Sequence, residues 1–546
     1  MFRRFHCIPF MFFAVLLFQR CAQINPLTGG QRDRTPPVLL SARPEPLSTN
    51  FHGHQILFRF DEFVQVKDLS NQMLITPALK TRPEVFADGK TVKVLIDTTE
   101  LKPNTTYRFY FGASIADMHE GNTLKNFEYI FSTGDHIDSM QFSGKVVDAG
   151  NNAPLNNILV GLYPGKNLSD SLPFKETPEY ITHTDASGAF NIGHLPPGTY
   201  RTYAISDEDK NLLYDQDNEK IGFLNEDLVL PHDSALEFKL FKQDPPKSYV
   251  KKTLTPYYGL LKILFNKRSQ ALVKAYDPAL ENNIYIPDHT EPLDTMSLYY
   301  REVSDSLRLL VQFRDKKEQD TLLVALPKKS LKKRKFSFIT MNTQNQQIPL
   351  GVYPRLRFIT WMDTLFASDK VLVFEFQKDT SNLRLPCTRR WLNPRELELK
   401  ADLIGGNAYR IHLDTSMFQD AFGQRNDTCT FRFTQQSAKD LGQLGLILVL
   451  NKKQAYLVQL LNEKDQVYRE QSFFLPLASS NSKSLVFTGL QPGNYRVRII
   501  FDNNNNAKWD SGQLFKKLQP EAVFLYPKTI KVISDWEIEE EIRFTD

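Results

Sequence analysis

Short alternations of apolar and polar residues dominate the chain. In Thr91-Val-Lys-Val-Leu-Ile96, Val92, Val94 and Ile96 fall on one side, the period of a strand with one buried face. Gln55-Ile-Leu-Phe-Arg-Phe60, Phe127-Glu-Tyr-Ile-Phe131, Leu307-Arg-Leu-Leu-Val-Gln-Phe313 and Thr321-Leu-Leu-Val-Ala-Leu326 also read as strands. Turn residues divide these runs. Pro103-Asn104 leads into Thr105–Phe111, and Thr184-Asp-Ala-Ser-Gly-Ala-Phe190 predicts a hairpin turn. No long amphipathic helix is visible. The pattern predicts an all-β chain built from β-sandwiches.

One block occurs twice. Leu195-Pro-Pro-Gly-Thr-Tyr-Arg is followed by Asp207-Glu-Asp-Lys-Asn-Leu-Leu-Tyr-Asp215. Leu490-Gln-Pro-Gly-Asn-Tyr-Arg is followed by Asp502-Asn-Asn-Asn-Asn-Ala-Lys-Trp-Asp510. The copies align without a gap, so Gly198 matches Gly493, Tyr200 matches Tyr495 and Asp207 matches Asp502. Repetition at this distance indicates duplicated modules. Five are expected in a string: 37–135, 140–245, 250–336, 337–436 and 440–546. The fourth echoes the first, with Asn407-Ala-Tyr-Arg-Ile-His-Leu413 answering Asn104-Thr-Thr-Tyr-Arg-Phe-Tyr110. Phe418-Gln-Asp-Ala-Phe-Gly-Gln424 likewise answers Ile115-Ala-Asp-Met-His-Glu-Gly121.

Several segments resemble a known family. Thr28-Gly-Gly with Asp33-Arg-Thr-Pro-Pro37, Phe60-Asp-Glu-Phe-Val64, Leu101-Lys-Pro-Asn-Thr-Thr-Tyr-Arg-Phe-Tyr-Phe111 and Phe127–Asp135 resemble Bacteroidota lipoproteins with SbsA-type Ig-like domains. Phe142-Ser-Gly-Lys-Val-Val-Asp148, Ile158–Tyr163 and the block from Leu195 resemble the small prealbumin-like sandwich of Cna-B and carboxypeptidase-regulatory domains. The resemblance implies Ig-like modules at 37–135 and 337–436, and Cna-B-like modules at 140–245 and 440–546. It implies spacer and binding domains without catalysis of their own.

The N-terminus has a separate logic. Met1-Phe-Arg-Arg is basic and Ile8 to Phe18 is almost wholly apolar. A bilayer span needs about 20 residues, so this shorter run reads as a signal segment, residues 1–20. Cys21 follows, which resembles a bacterial lipoprotein signal whose cysteine becomes the lipidated first residue. Gln19 and Arg20 stand where such signals place small residues, so an ordinary cleaved signal peptide is the alternative. Residues 21–36 read as a tether, broken by Pro26, Gly29, Gly30 and Pro36. Of the remaining cysteines, Cys387 and Cys429 are available to each other in an oxidising compartment. The candidates are a disulfide between them or two free thiols.

A net charge of +4 on 546 residues offers no reason to expect nucleic-acid binding. Lys328 to Lys335 is a charged run of the kind that caps a solvated hairpin. No HExxH, GxSxG, GxGxxG or GxxxxGK[ST] occurs, and the chain is expected not to be an enzyme. The repeated acidic blocks are the candidate sites. Asp207, Asp209, Asn211 and Asp215, with the Leu213 carbonyl and Glu219 in reach, place oxygens at alternate positions. Asp502, Asn504, Asn506 and Asp510, with the Lys508 carbonyl, do the same with fewer carboxylates. Such oxygen sets suit Ca²⁺, and the alternative is a polar turn held by Asx hydrogen bonds. Neither is an EF-hand, because position 6 is Leu212 or Ala507 instead of Gly. Asp-Ser/Thr followed by Ala, Leu, Ile, Val, Met or Thr recurs at Asp97, Asp138, Asp170, Asp233, Asp294, Asp305, Asp320 and Asp363. It resembles an O-glycosylation acceptor of exported Bacteroidota proteins, and Asp-Ser/Thr is also a common turn pair.

These observations lead to a non-catalytic, lipid-anchored outer-membrane protein, with the cell surface favoured over the periplasmic face. Its expected role is scaffold or accessory subunit of an outer-membrane complex, such as a β-barrel assembly, export or uptake machine. An outer-membrane β-barrel or lipoprotein would be its partner. The alternative is a surface adhesin or glycan-binding lipoprotein.

Overall fold

A computed structural model describes residues 33–543 except 233, 244–246, 287–292, 302, 304, 315–318, 328–335, 342–346, 367–372, 379–380, 451, 453 and 477–481. The signal segment, Cys21 and the Lys328–Lys335 run lie outside the described residues. The chain is all-β. Among the described residues the α-helix is a single turn, Leu69–Gln72, beside short 3₁₀ turns. No described helix is long and apolar enough to cross a membrane.

Residues 39–132 form a sandwich. One sheet orders Leu39–Arg43, Gln55–Phe60, Thr91–Leu95 and Glu84–Asp88, and the other Phe127–Ser132, Thr106–Gly112 and Leu74–Thr76. In Gln55–Phe60, Ile56, Phe58 and Phe60 are fully buried and the residues between them are not. Phe58 meets Phe111, Phe127 and Tyr129 edge-on across the core, a favoured aromatic geometry.

The second and fifth sandwiches share one topology strand for strand. Met140–Asp148 pairs antiparallel with Ala189–Leu195 and parallel with Leu236–Leu240. Gly442–Val449 pairs the same way with Ser482–Leu490 and Glu537–Arg543. In the opposite sheets, Gly198–Ile205 and Gly493–Asp502 are central. Each takes a long partner on one side and two short strands on the other. The repeated tyrosines do the same work: Tyr200 donates to the Pro196 carbonyl at 2.6 Å and Tyr495 to that of Gln491 at 2.9 Å. The Asp185–Gly188 turn is not a hairpin. Asp185 Oδ1 accepts from the Ser187 and Ala189 amides, the turn chemistry expected. The strands it joins, however, pair in different sheets, so it turns the corner of the sandwich. Turn residues specify a reversal and not the ladder partner.

Residues 250–326 and 338–435 build two further two-sheet units. The latter shares a device with the first sandwich. Tyr107 Oη accepts from the Lys102 amide at 2.7 Å, and Tyr409 Oη from the Ile404 amide at 2.6 Å. Five large apolar clusters follow the five segments.

The modules also meet side by side. Phe422 of the fourth packs on Tyr258 of the third, ring centroids 5.9 Å apart. The fifth returns to the second through residues 511–519. Leu514, 1% exposed, inserts among Tyr163, Tyr203, Tyr214, Phe223 and Phe241. Phe515 stacks on Phe174 at 5.4 Å, Gln519 donates to the Phe223 carbonyl at 2.9 Å, and Asn152 to that of Val523 at 2.6 Å. A side chain at Gly512 would run into the Phe241 ring. Placing a charge in this apolar junction costs several kcal/mol. Leu514→Asp should therefore separate the two modules while leaving both folded, read as a larger radius of gyration in small-angle scattering with an unchanged far-ultraviolet spectrum.

Candidate functional site

Each acidic loop leaves the end of a central strand and turns at once. In the first, both Asp207 carboxylate oxygens accept backbone amides, Asn211 at 3.1 Å and Leu212 at 2.9 Å. Asn211 Nδ2 bridges Asp209 at 3.0 Å and Asp215 at 3.1 Å, while its Oδ1 accepts from the Leu213 amide at 2.7 Å. The second loop repeats this. Asp502 accepts from the Asn506 and Ala507 amides at 3.1 and 2.8 Å. Asn504 and Asn506 both donate to Asp510, and Lys508 N donates to Asn506 Oδ1 at 2.8 Å. Side-chain-to-backbone bonds of this kind hold Asx turns.

Two features of these loops escape a residue-by-residue alignment. The first is backbone conformation. Lys210 and Leu212 have φ of +62° and +64°, and their counterparts Asn505 and Ala507 have +58° and +56°. Leu212 and Ala507 thus adopt the left-handed turn for which an EF-hand uses glycine. The second is a buried carboxylate at the base. Glu219, 0% exposed, accepts the Asp215 amide at 3.0 Å, Gln216 at 3.1 Å and Glu208 at 3.3 Å. In the second loop the gapless alignment puts Leu514 opposite Glu219, yet the role belongs to Glu521, 5% exposed. It accepts Asn503 at 2.8 Å and Asp510 at 3.1 Å. The signal lay downstream: each glutamate stands two residues before the next strand, Ile221–Phe223 or Val523–Leu525.

Burial raises the Asp207 and Glu521 carboxyls above their ordinary values, against the amides that lower them. Asp207, Asp209 and Glu219 each bring a carboxylate oxygen within 4.8 Å of the others. That is the arrangement in which a hard cation could share these oxygens. In the second loop the dominant contacts are amide-to-carboxylate bonds from Asn504 and Asn506. Both loops are held by their own N–H donors, so the Asx-turn chemistry expected as the alternative accounts for their shape.

Of the two candidates for Cys387 and Cys429, the structure has the free thiols and not the disulfide: both are half-buried and unbonded. Cys387 follows Ser381–Leu385, an edge strand three ladder steps from Cys429–Gln435. Burial pushes the Cys387 thiol up to about 11, away from thiolate reactivity. Of the hydroxyls following the recurrent aspartates, Thr98, Ser139, Ser234, Ser306, Thr321 and Thr364 are exposed, and Ser171 and Thr295 half-buried. Asp97 and Asp363 also cap their own turns.

A further pair of carboxylates links the first and fourth sandwiches. Asp117, fully buried, accepts the amides of His119, Glu120 and Asn122 at 2.6–2.8 Å. Asp420 accepts those of Phe422 and Gln424 at 2.9 Å. Asp117 and Asp420 are the aspartates aligned between Ile115–Gly121 and Phe418–Gln424.

The architecture defines a class, a multidomain all-β protein with Ig-like modules. Residues 33–133 match the family model of the bacterial Ig-like domain, Big_5. Curated proteins yield no match. Among solved structures, the major pilin subunit BcpA of Bacillus cereus is similar at 9% identity, covering 74% of this chain and 99% of the pilin, with a TM-score of 0.14. Surface-layer protein SbsC, domains 1–6, is similar at 9% identity over 90% of this chain and 67% of that one, TM-score 0.14. Salmonella alpha-2-macroglobulin is similar at 11% identity over 90% and 42%, TM-score 0.14.

Two outcomes follow from the carboxylates and the strained turns. Ala507→Gly removes the Cβ from a left-handed residue and should stabilise the fifth sandwich by up to about 1 kcal/mol, measured by thermal unfolding. For Asp117, burial raises the carboxyl, but its backbone amides outweigh burial and hold it at about 2, below the ordinary 3.8. A depressed carboxyl stabilises the fold fully above about pH 4 and loses that contribution as pH falls toward its folded value. Hydrogen-exchange protection factors at His119, Glu120 and Asn122, whose amides Asp117 accepts, should fall across that window in the native chain, and Asp117→Asn should remove that dependence.

Proposed function

We propose that this chain is a non-catalytic scaffold or accessory subunit of a protein complex at the outer membrane, held there by a lipid on Cys21. The return of the fifth sandwich onto the second supports this reading. Residues 511–519, an insertion that the first acidic loop lacks, bury Leu514 in the second module. The Phe422–Tyr258 contact braces the fourth module on the third, and Leu514 braces the fifth on the second. A braced body presents partner surfaces at set separations, which a subunit between larger components requires. Loop and edge surfaces on such a frame are the usual places for binding residues.

The apolar run from Ile8 to Phe18 followed by Cys21 is the basis for the anchor, and lipidation changes a soluble body into a tethered one. The favoured location is the cell surface. The test is a gentle detergent extraction of native membranes with a C-terminal tag on the chain. We expect an outer-membrane barrel or lipoprotein recovered in stoichiometric amount, and loss of membrane attachment for Cys21→Ala. Recovery of the chain alone, at high purity, would sink the subunit reading.

A further inference from the structure

The first and second sandwiches enclose a cleft of about 590 Å³, within the range of about 300–1,000 Å³ typical of small-ligand sites. Three links join the two modules, one of them across the lining of the cleft. Lys210 donates to Asn71 Oδ1 at 2.7 Å, the Ala78 amide donates to the Glu179 carbonyl at 2.8 Å, and Lys102 pairs with Glu179 at 2.6 Å. The first acidic loop forms one wall through Asp207, Lys210 and Leu212.

What the walls offer is selective. Of their cations, Arg108 is paired with Glu128 at 2.7 Å, while Lys210 and Arg82 each donate to a neutral oxygen, of Asn71 and of the Ser70 carbonyl at 2.8 Å. Asp207 spends both oxygens on backbone amides. By contrast, the side chains of Asn157, Asn191 and His183, all lining the cleft, make no hydrogen bond with the described residues. Asn157 is held at the mouth of its strand by a left-handed backbone, φ +57°, and by its amide bond to the Thr184 carbonyl at 2.9 Å. Burial, with the Lys210 ammonium nearby, keeps His183 below the usual histidine value, so its ring is a neutral donor and acceptor. Tyr110 adds an aromatic ring fixed by the Arg108 guanidinium, 5.2 Å from its centroid, and by its hydroxyl bond to Asn126 at 2.8 Å.

We infer that this cleft binds a neutral saccharide, with the Asn157 and Asn191 amides and the His183 imidazole taking its hydroxyls beside the Tyr110 ring. Each amide or neutral imidazole both gives and accepts hydrogen bonds, as a sugar hydroxyl does. A metal ion would find too few uncommitted carboxylates, since Asp185 and Asp207 both accept backbone amides. The acidic loop thereby gains a role as a cleft wall, independent of any cation.

The test uses the full chain in detergent and isothermal titration with neutral hexasaccharides of glucose, mannose, xylose and N-acetylglucosamine. A matched set carrying uronic acids is titrated in parallel. We expect saturable binding of at least one neutral member. Asn191→Ala and His183→Ala should each weaken it about tenfold, roughly 1.4 kcal/mol, and Trp536→Ser, an exposed change on the fifth sandwich, should leave it unchanged. Matching thermal unfolding curves for the variants establish that they are folded. Binding of acidic saccharides alone, no binding by any neutral member, or binding that survives both cleft substitutions would each overturn the proposal. Since the titration needs no membrane partner, its result stands apart from that of the membrane extraction.

Discussion

A glutamate carboxylate shut away from water, taking its hydrogen bonds from backbone amides, anchors both repeated loops. A buried carboxylate without partners is prohibitively costly, so Glu219 and Glu521 are stable only while the loop curls back to supply N–H donors. That requirement closes the base of each loop and leaves its apex free to do something else. In the second sandwich the apex walls the cleft against the first. In the fifth, the longer excursion between Asp510 and Glu521 carries Leu514 and Phe515 into the second. One local device therefore serves two different junctions, and the difference between them is an insertion, with the anchoring chemistry unchanged.

The same economy appears in the first and fourth sandwiches. Asp117 and Asp420 organise a turn by accepting consecutive amides, and Tyr107 and Tyr409 tie a strand to the turn five residues before it. These bonds satisfy backbone groups that would otherwise be stranded where a strand enters the core. In the fourth sandwich the residue two beyond the aspartate, Phe422, is turned outward onto Tyr258 of the third. A turn fixed by a buried carboxylate can present a large apolar side chain in a set direction, and the chain uses such turns where modules meet.

Much was legible in the order of residues. Alternation in Gln55–Phe60 and Thr91–Ile96 announced strands because a pleated strand sends successive side chains to opposite faces. The shared Pro-Gly turn, tyrosine and acidic block foretold two loops with the same hydrogen bonds, since Asx turns are local and depend on residues a few positions apart. Less legible was anything set by partners distant in the chain. The Asp185–Gly188 turn was expected to join neighbouring strands of one sheet and instead joins two sheets. Cys387 and Cys429 were candidates for a bond, and they stand as two free thiols, Cys387 in a connection between sheets and Cys429 at the start of a strand. Glu521 was hidden by an insertion that broke the alignment just where it mattered.

The sequence by itself determined the all-β character and the duplicated acidic loops with their alternating oxygens. These rest on side-chain period and on contacts within one turn. Only the tertiary structure decided that the fifth sandwich docks on the second, that Glu219 and Glu521 are equivalent, and that the first loop borders a polar cleft. Those depend on which surfaces meet, and meeting surfaces are chosen by shape and by apolar area brought together from residues hundreds of positions apart.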